Sequence, residues 1–177
     1  MKHADHVGLL RPANLPGGGT WVDLGAGTGA FTLALRELVG DQAVIYAVDK
    51  NRDGLGDLER EYARRFGETR SLRPFKADFS DAIELPPLDG ALMANSLHFV
   101  RNKAALLQRV RALLKPGGVL LLVEYNVDRG NAWVPFPCSF RAFTDLAPQA
   151  GFGRPRLIAT HPSSFLGEFY CAKADVV

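Results

Sequence analysis

Apolar and polar positions fall in blocks along this chain, with short apolar runs separated by amphipathic stretches. Thr20 to Leu24 and Ala43 to Val48 (AVIYAV) are near-continuous apolar runs, which predicts strands buried on both faces. Between them, Ala30 to Leu38 (AFTLALREL) repeats at helical spacing and closes at Gly40. Asp53 to Phe66 reads as a charge-rich amphipathic helix ending at Gly67. Ser71 to Lys76 is a third strand. It contains Pro74, which has no N–H for a ladder, so it belongs at a sheet edge. Leu88 to Ala94 is a fourth strand, and Val119 to Tyr125 (VLLLVEY), the most hydrophobic, is a central fifth. Lys103 to Leu114 is an amphipathic helix stopped by Lys115-Pro116-Gly117-Gly118. After a loop at Asn126 to Pro137, a helix runs from about Ser139 to Ala150 and ends at Gly151. Arg156 to Thr160 and Glu168 to Ala172 then form two strands. The turn His161-Pro162-Ser163-Ser164 between them is too short for a parallel return, so they pair antiparallel.

This order predicts an α/β fold with a parallel sheet and one antiparallel strand near its C-terminal end. Crossovers are right-handed, and a ligand belongs beyond the carboxyl ends of the strands where strand order reverses. The 177 residues suit a single domain spanning 1–177, with no repeat or linker. Hydrophobic residues make up 47%, as in globular proteins. The net charge of +2, from 21 basic and 19 acidic residues, gives no reason to expect nucleic acid as a partner. Two cysteines, Cys138 and Cys171, make neither a disulfide framework nor a metal site, and fit reduced thiols. The first residues, MKHADHVGLLRP, lack the apolar core of a signal peptide. No apolar run approaches the roughly 20 residues that span a bilayer. The expectation is a cytoplasmic protein without metal or membrane partner. The sequence is silent on oligomeric state.

The chemistry concentrates in VDLGAGTGAF, residues 22–31. Gly25, Gly27 and Ala30 satisfy the dinucleotide pattern G-x-G-x-x-A, with Asp49 about 20 residues further on. Asp49 reports an adenosine ribose, because a carboxylate accepts from both hydroxyls, and it leaves open which adenosine. Gly29 makes the turn G-x-G-x-G, which suits a ligand without phosphate. Asp23 would oppose a pyrophosphate and suits an ammonium or sulfonium. Asp78 and Phe79, after the third strand, can hold an adenine amino group and ring.

Five segments in order carry a family resemblance: VDLGAGTGAF (22–31), AVD (47–49), ADFSD (77–81), LDGALMANSLHFV (88–100) and LKPGGVLLLVEY (114–125). With these the chain resembles a class I S-adenosylmethionine-dependent methyltransferase of the methyltransferase type 11 sort, over nearly its whole length. The resemblance implies a Rossmann-like, doubly wound seven-stranded sheet ordered 3-2-1-4-5-7-6, with strand 7 antiparallel. It implies that Gly25, Ala26, Gly27 and Gly29 admit the methionine part of the cofactor. Asp49 would hold the ribose, with Lys50 or Asn51 at its rim, and Asp78 and Phe79 the adenine. Asn95 would line the pocket near the methyl group through its carbonyl. For Asp23, ligand contact and capping of the loop backbone stand as two open readings.

His98, in the segment after the fourth strand, is the candidate catalytic base, with a histidine packed under the loop and hydrogen-bonded there as the other open reading. Glu124 and Tyr125 end the fifth strand on the same rim, and Glu124 reads as a loop anchor. The acceptor pocket is expected from Met1 to Leu10, Leu97 to Arg101 and the 126–140 loop with Trp133, Phe136 and Phe140. His3 and His6 read as incidental on a surface helix. No asparagine-proline-proline-aromatic motif follows the fourth strand, so the default acceptor is a small molecule. Two other functions stay open. One is a binder of S-adenosylmethionine or S-adenosylhomocysteine without catalysis, as a sensor or partner subunit. The other is a nicotinamide-dependent oxidoreductase, which rests on Ala30.

Overall fold

A computed structural model describes residues 1–177. Seven strands form one sheet in the order β3-β2-β1-β4-β5-β7-β6. They are β1 (Thr20–Leu24), β2 (Val44–Asp49), β3 (Leu72–Lys76), β4 (Leu88–Ala94), β5 (Leu114–Tyr125), β6 (Arg156–Ser163) and β7 (Gly167–Asp175). All neighbours pair parallel except β7, which runs antiparallel to both β5 and β6. The helices are α1 (His3–Leu10), α2 (Ala30–Val39), α3 (Arg52–Phe66), α4 (Lys103–Leu113) and α5 (Phe140–Gln149). No helix is long and apolar enough to cross a membrane.

The apolar runs are continuous because helices cover both faces. Along β5, Leu120 and Leu122 enter one core with residues of α4 and α5, while Leu121 and Val123 enter another with residues of α1 and α2. Alternate residues of a strand face opposite ways, so a strand buried twice has no polar positions to spare. β3 pairs only with β2, which puts Pro74 on an edge where its missing N–H costs nothing.

Three boundaries differ from the sequence reading. Lys115-Pro116-Gly117-Gly118 stops α4 as expected, but the chain passes directly into β5 without a separate loop. Leu88 pairs with Leu114 and Gly90 with Val119, so an irregularity in register absorbs the segment. The last two strands are longer than expected, and the turn is Ser164–Leu166. Pairing continues through His161 with Phe169 and Pro162 with Glu168. Pro162 is tolerated because β6 is the other sheet edge. Finally, α1 is no loose surface helix: Val7, Leu9 and Leu10 are buried, and it packs on α2 and β6.

Gly29 caps α2 at φ +88°, and a Cβ there would overlap the Leu58 side chain of α3. Gly67, at φ +71°, has open space around the same position. Gly29→Ala is therefore expected to cost about 3 kcal/mol by urea unfolding, combining overpacking with a left-handed backbone. Gly67→Ala, which carries the backbone penalty alone, is expected to cost about 1 kcal/mol.

Candidate functional site

The sheet order reverses between β1 and β4, whose C-terminal ends open a crevice. Three cavities meet there. The largest, about 460 Å³, is walled by Gly25, Asp49, Lys50, Asp78, Phe79, Asn95 and Ser96, among others. A second, about 250 Å³, holds Asp23, the turn residues Gly25 to Thr28, and His6. A third, about 390 Å³, lies between α1 and the β6–β7 turn, against Tyr125, His161 and Phe169. Asn95 lines all three, and His6 lines the second and third.

The glycine turn is held to β2 by the Gly27 N–H, which donates to Asp49 Oδ2 at 2.8 Å. Asp49 Oδ1 accepts from the Asn51 N–H at 2.8 Å, leaving each oxygen further accepting capacity. Asn51 itself caps α3, accepting from the N–H groups of Asp53 and Gly54. A Cβ on Gly25 would stand 2.5 Å from Ser96 Cβ and 3.1 Å from Phe79 Cε1, so only glycine lets this turn close on the β4 loop. The Ser96 hydroxyl donates to the Leu24 carbonyl at 2.7 Å and ties the two strand ends together.

Asp23 is fully buried. Its Oδ2 accepts from the Thr32 hydroxyl at 2.6 Å, and its Oδ1 has no partner. Burial first, and the nearby Asp49 charge second, push its carboxyl up to about 7 against the pull of Thr32. Asp78 moves the other way: hydrogen bonds from the Ser80 hydroxyl and N–H, then the Lys50 ammonium at 3.6 Å, hold it below the usual carboxylate range. Asn95 has a left-handed backbone at φ 54°, and its Oδ1 is buried without a partner. Two unpaired oxygens at one crevice are unusual in a folded chain, where such atoms are nearly all bonded.

The structure gathers Asp23, Gly25, Ala26, Gly27, Asp49, Lys50, Asp78, Phe79 and Asn95 around these cavities. Gly29 is a correction. It lines none of them, because the space beside it belongs to Leu58. His98 takes the packed, hydrogen-bonded arrangement of its two readings. It is buried beneath the loop, outside the three cavities, with Nδ1 2.7 Å from Glu124 Oε2 and its N–H donating to Glu124 Oε1 at 3.1 Å. Its carbonyl accepts from the Phe136 N–H at 3.0 Å. The pair fastens the segment after β4 to β5 and to the 126–137 loop, and does not present a base to the crevice. That loop lines none of the three cavities either. Trp133 is 72% exposed, Phe136 lies under Arg101, and Phe140 packs on Tyr170. Sequence reasoning passed over Thr32, Ser96 and the His161–Ser164 segment, and it placed His6 on the acceptor-side segment without a role. Thr32 had a readable signal, since it lies nine residues after Asp23 on the first turn of α2, facing β1.

Comparison with known proteins fits this geometry. A family model described as "Methyltransferase domain" matches residues 22–120. The chain is 30% identical over 130 residues to the ubiquinone/menaquinone biosynthesis C-methyltransferase UbiE of Shewanella frigidimarina, covering 72% of this chain and 49% of that protein. It is 38% identical over 106 residues to tenellin synthetase of Beauveria bassiana, covering 58% of this chain and 2% of that protein. It thus spans about half or much less of these relatives' length. Among solved structures, a SAM-dependent methyltransferase from Aquifex aeolicus aligns with TM-score 0.75 at 21% identity, over 98% of this chain and 90% of that one. The [4+2]-cyclase SpnF aligns with TM-score 0.76 at 15% identity, over 98% of this chain and 80% of that one. These two share the fold.

Asp23 sets a pH dependence with a definite sign. Its carboxyl sits at about 7 in the fold against 3.8 for the free group, so between these values the folded state holds a proton that the unfolded state has lost. The ligand-free protein is expected to lose stability as pH rises from about 4 to about 7, by roughly 4 kcal/mol in all. Thermal unfolding across this range checks it, and Asp23→Asn is expected to remove this contribution to the slope.

Proposed function

The chain belongs to the methyltransferase-domain family matched over residues 22–120, and on that premise we propose that it binds S-adenosylmethionine across the first two cavities and methylates a small molecule held in the third. The observation that carries this reading is the meeting of three cavities at Asn95. Transfer in line needs donor and acceptor chambers that share one point, and alignment there supplies most of the barrier reduction.

The residues present fit the cofactor. Asp49 has accepting capacity left for two ribose hydroxyls, and Asp78 and Phe79 suit an adenine amino group and ring. The unpaired Oδ1 of buried Asp23 suits an ammonium, and its charge together with Asp49 disfavours a pyrophosphate. When bound, S-adenosylmethionine supplies a methyl group already activated by its sulfonium. The chain's own residues bind and orient. Asp23 and the Gly25–Thr28 turn hold the amino-acid end. Asp49, Asp78 and Phe79 hold the nucleoside, and Asn95 marks where the two chambers open into the third. α1 covers the second cavity through His6 and limits water there. The small-molecule acceptor is supported by the name of the UbiE relatives, which act in quinone biosynthesis. One observation favours a second reading, cofactor binding without methyl transfer: SpnF, a [4+2]-cyclase, shares the fold.

Calorimetry is expected to show S-adenosylhomocysteine binding and no tight NAD(H) binding; the reverse result sinks the proposal. Asp78→Ala is expected to weaken S-adenosylhomocysteine by about tenfold, the worth of one charge-assisted hydrogen bond. Binding an ammonium fixes Asp23 in its charged form. Affinity should therefore fall by up to about tenfold per pH unit below 7, with proton release visible as a heat that varies with the buffer.

A further inference from the structure

The third cavity has a composition unlike the other two. No carboxylate lines it; its walls are imidazoles, hydroxyls and aromatic rings. Tyr125 and Phe169 both line it, their rings tilted at 33° with centroids 4.3 Å apart, and Phe165 meets the edge of Tyr125 at 5.8 Å. The Tyr125 and Phe169 rings give a mainly polar cavity one aromatic side. His6 is the only titratable residue shared by this cavity and the one that holds Asp23. Its Nδ1 is buried without a partner, and its Nε2 bonds to nothing in the chain. The ring is kept in place by Phe31, 4.6 Å away.

We propose that this cavity takes a planar aromatic hydroxyl compound and that His6 Nε2 accepts its hydroxyl proton during methyl transfer. The proposal rests on the methyl-transfer reading above. In the step, the acceptor O–H bond breaks and its proton goes to Nε2. The oxygen's electron pair forms the new bond to the methyl carbon. The electrons of the broken carbon–sulfur bond stay on sulfur, leaving S-adenosylhomocysteine and an aryl methyl ether. The base uses the tautomer with its proton on Nδ1.

His6 is suited to this because it is neutral at rest. Burial holds its imidazole below the ordinary histidine range, and the terminal amine, His3 and His161 push the same way, while Asp5 alone opposes them. Asp23, Tyr125, His161 and the Met1 terminal amine are the other ionisable groups on the two cavities it joins. A neutral imidazole is a competent base near neutral pH. His161 serves differently. Its Nδ1 lies 2.8 Å from the Pro162 carbonyl and its Nε2 3.8 Å from Asp5, which fixes it on the outer side of the pocket, away from the junction.

The test needs no natural acceptor. The probe is 4-nitrophenol, whose phenolate absorbs visible light and whose phenol does not. It is added to the full chain saturated with S-adenosylhomocysteine at about pH 6, below the ordinary histidine value. The expected result is binding with a phenolate-to-phenol ratio about tenfold above that of free probe in the same buffer. His6→Gln and His6→Ala, each at its own S-adenosylhomocysteine saturation, should return the ratio to the free value. Added imidazole should restore it in His6→Ala alone. Two variants guard against loss of fold in one, and circular dichroism verifies both. Failure of the probe to bind, binding with unchanged ionisation, or ionisation that survives both substitutions each overturns the proposal. If the unmodified chain takes up no S-adenosylhomocysteine, the methyl-transfer reading falls instead.

Discussion

A carboxylate buried at the end of β1 with one oxygen unpaired is the constraint around which this site is organised. Inside a sheet, an ionised Asp23 is costly, because neither water nor a fixed cation offsets its lost hydration. Thr32 satisfies one oxygen from the first turn of α2, and no group of the chain satisfies the other. The fold therefore holds Asp23 in a state that is neutral or strained when the crevice is empty and relaxed when a cation sits against it. The same burial makes the ligand-free protein less stable as pH rises from about 4 to about 7, and under the proposed function it would link affinity to pH. Stability and recognition are two readings of one residue.

The surroundings of Asp23 explain how that state persists. β1 lies between β2 and β4, so its end cannot relax sideways. Gly27 is bonded to Asp49 of β2, and Leu24 to Ser96 beyond β4. Both ties pull the turn against the sheet. Leu58 of α3 packs against Gly29 and closes the turn from behind. The third glycine of the motif thus acts in helix packing while the first two line the cavities. A spacing motif records all three alike, although their physical reasons differ.

That difference marks what was legible in the sequence. The strands themselves followed from apolar blocks, the edge position of β3 from one proline and the antiparallel pairing of the last two strands from one short turn, while the strand order came only with the family resemblance. Asp23, Asp49, Asp78, Phe79 and Asn95 were readable because each sits at the end of a strand, where topology alone fixes its place. His98 was left with two readings for a related reason. Position after β4 brings a residue to the rim, but the direction of its side chain depends on Glu124, 26 residues away and on another strand. The third cavity was legible only in part: Met1 to Leu10 and Tyr125 were expected at the acceptor side, the β6–β7 turn was not. It needs α1, β4, the end of β5 and the β6–β7 turn together, four segments from both ends of the chain with no shared pattern. His6 could be recognised only after α1 was seen to bury its apolar side on α2 and β6.

The division of labour between the chambers follows from their charges. Under the proposed function, the two acids of the first cavity and the one of the second would face a cofactor that carries hydroxyls, amines and a sulfonium. The acceptor chamber lacks acids, which is what a nucleophile requires when it must shed a proton and approach a cation. A carboxylate there would compete for the sulfonium and stabilise the ground state more than the transition state. A neutral imidazole at the junction avoids this competition, because it becomes charged only as the positive charge on sulfur is discharged. Its new charge then appears as the neighbouring one vanishes, so the total charge in the crevice stays constant through the step. A site of low dielectric tolerates that exchange better than a net gain of charge.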